Sequence, residues 1–241
     1  MSTITFENYG KLAENMRDFT QVAGRYSCQR DDEKNILQDV IQKLALSAKV
    51  DLLEVGCGSG NLLIPLSFCV GKVTGIDHPS CIDSLKKRYQ AENVSLIGSN
   101  FLDCRENKLG VYHRILIYSV LHCLGKEEVK SFIAKAVSLL RPGGKMLLGD
   151  LPNLSKKNRF LASKEGELFI EEWNKRLAAT GDDVQKVQLS EDSDTAEFND
   201  DNILALIKEI RDSGCNAYLL PQPVHLPFGY TREDILVEKP V

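Results

Sequence analysis

The chain has 241 residues, a net charge of −4 and an apolar fraction of 43%, which suits one large α/β domain or a domain carrying a substantial insertion. No Lys/Arg-rich run stands out, which argues against a broad nucleic-acid footprint, and no apolar run approaches the ~20 residues of a membrane span. Seven scattered cysteines form neither a Cys-x-x-Cys pair nor a Cys/His metal spacing, so reduced core thiols and no metal are expected.

The first residues, Met-Ser-Thr-Ile-Thr-Phe-Glu-Asn, lack the basic region and apolar core of a signal peptide, and a cytoplasmic location is expected. Residues 6–29 place Phe6, Tyr9, Phe19 and Tyr26 among polar neighbours and read as one or two irregular helices forming a cap. From residue 32 onward, Ile36, Leu37, Val40, Ile41 and Leu44 mark one face of an amphipathic helix. A short strand at 51–55 then runs into Gly56, Gly58 and Gly60. A helix is expected over 61–68, a strand over 72–76 ending at Asp77, a helix near 80–90 and a strand at 94–98. After a polar turn come a strand at 113–118, a helix over about 126–140 stopped by Arg-Pro-Gly-Gly at 141–144, and a strand at 145–149.

Strand and helix alternate throughout this half, which predicts a parallel, doubly wound sheet. Residues 151–201 show no strand pattern and one helix near 165–179, with Leu168, Phe169, Trp173 and Leu177 as its apolar side. The acidic stretch 181–201 is too long for an ordinary connection and is expected to be part of a cap. A helix over 203–212 follows, capped by Asp200, Asp201 or Asn202. Strands at 216–220 and 234–238 are joined by a proline-rich link too short for a helical crossover, so they pair antiparallel. The expected fold is α/β, a doubly wound, mostly parallel seven-stranded Rossmann-like sheet with an antiparallel last strand and a helical cap. The expected organisation is an N-terminal cap over 1–30 and a main domain over 31–241, with a cap insertion at about 151–201.

The glycine loop carries the chemistry. Glycines at 56, 58 and 60 let a ligand approach the backbone closely, and the following helix points free N–H groups at it. A dinucleotide fingerprint needs glycine at i, i+2 and i+5; the third position here is Asn61, which disfavours a nicotinamide oxidoreductase. A Gly-x-Gly-x-Gly alone is also an ordinary tight turn, and an aspartate at a strand end is also a helix cap. Glu54-x-Gly56-x-Gly58-x-Gly60, with Asp77 ending the second strand and Leu-Arg-Pro-Gly-Gly at 140–144, resembles the motif set of class I S-adenosylmethionine-dependent methyltransferases. The resemblance extends over about 32–240.

That resemblance implies S-adenosylmethionine as cofactor and a set of contacts. The amides around Gly56, Cys57, Gly58 and Gly60 suit its carboxylate, and Glu54 its ammonium. Asp77 is placed to accept both ribose hydroxyls, with His78 beside the adenine. Asn100, followed by Phe101, stands where the family usually has an acidic residue against the adenine amino group, with Asp103 as the fallback. Tyr118 and Ser119 should present backbone to the methionine part.

Methyl transfer needs a base only for a hydroxyl or a protonated amine acceptor. His122, His225 and Asp150 are the candidates. His113 reads as structural, and Cys57 as a packing residue rather than a nucleophile. The loop after the fourth strand lacks an Asn/Asp-Pro-Pro-aromatic signature, against nucleic acid. The caps suggest an enclosed small-molecule acceptor, methylated on oxygen or nitrogen, with no membrane partner and an oligomeric state that the sequence leaves open. Residues 149–160 show a further similarity to methyltransferases of bacterial surface-carbohydrate clusters. Lys156, Lys157 and Arg159 there would suit an activated sugar or equally a solvated helix start. A non-catalytic S-adenosylmethionine-binding module is the alternative from another class.

Overall fold

The computed structural model describes residues 25–180 and 195–241, together with Phe6, Glu7, Asn8, Gly10, Lys11, Glu14, Thr20 and Ala23. Most of the expected N-terminal cap and the acidic residues 181–194 lie outside the described residues.

Helix α1 (Arg30–Leu44) opens with Asp31, Asp32 and Glu33 in its first turn, where negative charge suits the helix dipole. It buries Ile36, Val40 and Leu44, spaced four apart on one face. Then follow β1 (Asp51–Val55), α2 (Leu63–Ser67), β2 (Lys72–Asp77), α3 (Pro79–Arg88), β3 (Val94–Gly98), α4 (Glu106–Leu109), β4 (Tyr112–Tyr118) and α5 (Glu128–Ser138). The second half holds β5 (Leu140–Pro152), α6 (Leu154–Leu161), α7 (Lys164–Thr180), α8 (Asp200–Asp212), β6 (Asn216–Pro221) and β7 (Arg232–Glu238).

The seven strands form one sheet in the order β3-β2-β1-β4-β5-β7-β6. β7 runs antiparallel to both its neighbours, and the other pairings are parallel, as expected. The chain winds outward from β1 toward β3, then returns to the centre at β4. That reversal opens a crevice beyond the carboxyl ends of β1 and β4, where ligands of such sheets bind. One face of the sheet packs α1, α2 and α3 through Leu44, Leu52, Leu66 and Leu85. The other packs α5 and α8 through Leu53, Phe132, Ile133 and Ile207. Leu52 and Leu53, adjacent in β1, are both fully buried, because successive strand residues face opposite sides of the sheet.

Several elements differ from expectation, among them α4, which forms where a polar turn was expected. β5 begins at Leu140 and runs 13 residues. The Arg-Pro-Gly-Gly segment is drawn into the sheet by Leu140 pairing with Tyr112, with a register shift before Arg114, and by Gly143 N–H donating to Lys239 O. α6 matches the helix start that is one alternative for Lys156, Lys157 and Arg159; Asn153 caps it by accepting from Lys156 N–H. α8 starts at Asp200 instead of residue 203, and Asn199, not Asp200, Asp201 or Asn202, is its cap, reciprocated by Asn202 in a capping box.

Candidate functional site

The tips of β1, β2 and β4 enclose a cavity lined by Glu54, Gly56, Cys57, Gly58, Asp77, Tyr118 and Ser119. Beside it, a smaller pocket is lined by Gly56, Asp77, Asn100, Phe101 and Phe6. Gly56 and Asp77 belong to both, so the two are subsites of one groove.

The glycines divide by task. Gly56 (φ +79°) sits against Val120, where a Cβ would lie 2.3 Å from a methyl group, and Gly60 (φ +86°) sits similarly against Leu85. Gly58 (φ +52°) has nothing within 4 Å of where its Cβ would be. Its backbone faces open space, as a cradle for a ligand requires. Gly60 therefore shapes the turn and lines neither pocket, which corrects its expected contact role.

Asp77 is fixed by two backbone donors: Gly58 N–H gives to Oδ2 at 2.7 Å and His78 N–H to Oδ1 at 2.6 Å. Burial pushes its pKa up despite these bonds. Glu54 is 3% exposed, and its Oε2 has no hydrogen-bond partner among the described residues. Burial, reinforced by the neighbouring Asp77, raises its pKa well above the ordinary value. A buried carboxyl oxygen without a donor is costly, and a cationic group in the cavity would relieve it.

Cys57 is buried, and burial raises its thiol pKa well above 9.0, so it packs and does not attack. Asn100 Oδ1 accepts from Leu102 N–H at 3.1 Å, which caps the short turn holding Phe101. Asp103 is exposed and is absent from both pockets, so Asn100 is the residue that faces the groove. His78 also departs from expectation. Its Nδ1 accepts from Ser80 N–H to cap α3, its ring packs 4.7 Å from Phe6, and it lines neither pocket. His113 is structural, as expected, accepting from Asp51 N–H.

Next to this groove lies a larger cavity of ≈ 1040 Å³, walled by aromatic side chains of α6, α7 and the β6–β7 link and reaching His122 and Arg232. The segment after β4 serves both cavities, with Ser119, Val120 and Cys123 lining the first and His122 the second. Ser119, in the first, hydrogen-bonds Asp150, and Asp150 Oδ2 accepts from Arg232, in the second, at 2.9 Å. Arg25 closes the same cluster, 3.6 Å from Asp150 Oδ2 and 3.3 Å from Glu33. Beneath it, Gln222 donates to Asp234, which also takes Lys43 at 2.6 Å.

The three base candidates separate. His122 lines the larger cavity, and its Nδ1 is buried with no partner among the described residues. Burial, helped by Arg232, lowers its pKa to about 3, so it is neutral across the physiological range. Asp150 is tied into the ion-pair cluster: burial pushes its carboxyl upward, but Arg232 and Arg25 more than offset this and hold it below the ordinary value, and it lines neither cavity. His225 is exposed, its carbonyl accepts from Asn35 at 3.2 Å, and the wall passes from Val224 to Leu226 without it. Of the expected cations, Lys156 binds the carbonyls of Gly229 and Arg232 and Arg159 pairs with Asp200. Lys157 alone of the three lines the cavity.

Residues 52–144 match the family model described as a methyltransferase domain. The chain is thus similar to methyltransferase domains over β1–β4 and the glycine loop. It is 26% identical over 127 residues to a ubiquinone biosynthesis O-methyltransferase of Rickettsia canadensis, covering 50% of this chain and 52% of that protein. A second such enzyme, from Rickettsia akari, is also 26% identical over 129 residues, covering 50% and 49%. The chain thus spans about half the length of the curated relatives it matches. Among solved structures, phosphoethanolamine N-methyltransferase 1 of Haemonchus contortus superposes with a TM-score of 0.68 at 14% identity, over 100% of this chain and 50% of that one. Magnesium protoporphyrin IX methyltransferase of Synechocystis PCC 6803 gives 0.59 at 12%, over 98% and 95%.

Several residues of the methyltransferase site carry no motif. Ala23 and Arg25 reach the first cavity from the N-terminal segment, and Tyr26, Phe160, Phe169, Trp173 and Tyr230 wall the second. The helical spacing of Phe169 and Trp173 is a usable signal, but it reads as core packing. Leu168, placed on the same apolar side by sequence, is 60% exposed.

Proposed function

We propose that the chain transfers a methyl group from S-adenosylmethionine to an oxygen or nitrogen of a small-molecule acceptor. The observation that carries this reading is the unpartnered, buried Glu54 Oε2 in the cavity that Gly58 and Asp77 also line. The residues fit the cofactor's chemistry: a carboxyl oxygen for the ammonium, an open glycine backbone, and an oriented aspartate for the ribose hydroxyls. When bound, S-adenosylmethionine supplies an electrophilic methyl group on a sulfonium.

The chain's own residues do the rest. Asp77, locked by the Gly58 and His78 amides, keeps a fixed orientation toward the groove. Asn100 and Phe101 border the adenine end. Ala23 and Arg25 line the first cavity, and alignment of donor and acceptor supplies the acceleration. For a hydroxyl acceptor, the neutral His122 imidazole takes the proton; a base that weak suffices because the hydroxyl becomes strongly acidic as its oxygen is alkylated.

A non-catalytic binding module would need no second compartment, and the ≈ 1040 Å³ cavity that reaches His122 favours turnover. Incubation with S-adenosylmethionine and a panel of acceptors, read by mass gain of one methyl group and release of S-adenosylhomocysteine, tests the proposal. Cofactor binding without any turnover across hydroxylated, amino and sugar-nucleotide acceptors would support the module instead.

A further inference from the structure

The wall of the larger cavity is a run of aromatic rings in contact. Tyr26 meets Trp173 edge-on at 5.4 Å, Trp173 stacks on Phe169 at 5.9 Å, Phe169 meets Phe160 edge-on at 5.4 Å, and Phe160 stacks on Tyr230 at 4.5 Å with an interplanar angle of 11°. These five rings come from three separate segments: the residues before α1, the helices α6 and α7, and the β6–β7 link. They do not fill the core. Phe160, Phe169, Trp173 and Tyr230 are only half-buried and face ≈ 1040 Å³ of space, at the large end of small-molecule sites.

Rings in this arrangement recognise flat, apolar ligands, since offset stacking adds to the burial of area. Polar groups also line the cavity, but its two arginines are committed. Arg232 is held by Asp150 and lies 4.2 Å over the Phe228 ring, and Arg176 is held by the carbonyl of Cys28 and by Asp32. The lysines of the wall, Lys126 and Lys157, are exposed. A sugar nucleotide would engage Lys126, Lys157, Asn153 and Thr231, which also line the cavity, rather than the rings. His122 lines the cavity as well, with one ring nitrogen that has no partner among the described residues.

We propose that this cavity is the acceptor site and that it takes a hydroxylated aromatic molecule with an extended apolar body, the body lying on the Trp173–Phe169–Phe160–Tyr230 wall and the hydroxyl donating to His122. This rests on the methyltransferase reading for its purpose, but its binding test does not depend on turnover.

Trp173 is the only tryptophan in the chain, so its fluorescence reports on this wall alone. The probes are 4-nonylphenol, its methyl ether and UDP-glucose, each titrated with and without S-adenosylhomocysteine. The phenol is expected to change Trp173 emission saturably, and the methyl ether to bind at least about fivefold more weakly, the worth of one hydrogen bond. His122→Ala should abolish that difference. Phe169→Ala and Tyr230→Leu should each weaken the phenol at least about fivefold through lost stacking, while calorimetric affinity for S-adenosylhomocysteine, which also reports folding, stays within about twofold of wild type. Saturation by UDP-glucose but not the phenol, a phenol response equal in wild type and both wall variants, or no saturable response would each overturn the assignment. If S-adenosylhomocysteine fails to bind while the phenol binds, the methyltransferase reading falls and the aromatic site stands.

Discussion

Ser119 and Asp150 stand at the adjacent tips of β4 and β5, and both hold the left-handed backbone region with φ of 61°. They are bonded to each other through side chains, and Ser119 N–H donates to Gly149 O at 3.0 Å. Non-glycine residues in this region cost about 1–3 kcal/mol each and persist only where the surroundings over-determine them. Here Asp234 takes the Asp150 N–H at 2.8 Å, and Arg232 binds both the carbonyl and the carboxylate of Asp150. The strained pair marks a bulge in β5, whose pairing with β7 shifts register between Leu148 and Leu151, beside the point where the chain leaves β4 for Ser119, in the first cavity, and His122, in the second.

Asp150→Asn should therefore destabilise the fold by about 3 kcal/mol, because it leaves the Arg232 and Arg25 guanidiniums without their shared buried carboxylate. Denaturant unfolding measures this. A loss below about 1 kcal/mol would show that the cluster is not the anchor of the β4 and β5 tips.

Gly58→Ala and Gly56→Ala separate the two uses of glycine. At Gly58 the backbone strain is about 1–2 kcal/mol and the Cβ has room, so the variant folds but intrudes on the ligand. At Gly56 the same change meets Val120 at 2.3 Å, and stability falls further. Melting temperatures together with cofactor titrations distinguish them; equal cofactor affinity in Gly58→Ala and wild type would remove Gly58 from the site.

Glu54 makes ligand-free stability depend on pH in a specific direction. Its folded pKa lies above its unfolded value of 4.5, so the folded state holds the proton more tightly, and stability declines as pH rises from about 4.5 toward the folded value. Glu54→Gln removes this decline, keeps the apo protein at least as stable, and weakens the cofactor by about tenfold or more through loss of the ammonium partner. Binding in buffers of different ionisation heats should show proton release in wild type and none from this site in Glu54→Gln.

His122, with its pKa lowered to about 3, gives no acid limb near 6.5 in the pH–rate profile once an acceptor is known. Its folded value lies below the unfolded 6.5, so its contribution to stability is present above 6.5 and is lost as pH falls toward 3. His122→Gln should flatten that acid-side loss. A rate profile that titrates near 6.5 and loses this limb in His122→Gln would contradict the neutral-imidazole assignment.

Strand order and the groove were legible because each rests on local chemistry: alternating strands and helices, glycine where φ is positive, and Asp77 at a strand end. α6 was read only as one of two alternatives because its signal is one capping residue, Asn153, ahead of a mostly polar run. His78 and Gly60 were placed by motif adjacency, yet a histidine that caps α3 and a glycine packed on Leu85 satisfy the same spacing without facing the ligand. The surroundings of Asp150 and His225 were invisible in sequence: one is clamped between guanidiniums brought from residues 25 and 232, and the other faces solvent. The aromatic wall of the larger cavity was least legible of all, because its rings come from three distant segments whose spacing is also that of ordinary core packing.

The most direct test of the account is calorimetric titration of the wild-type chain and Asp77→Ala with S-adenosylhomocysteine and with NAD. The account predicts saturable binding of S-adenosylhomocysteine to wild type, no binding of NAD, and a loss of at least tenfold, about 1.4 kcal/mol, in Asp77→Ala. Binding of NAD alone, or an affinity for S-adenosylhomocysteine unchanged by the loss of Asp77, would contradict it.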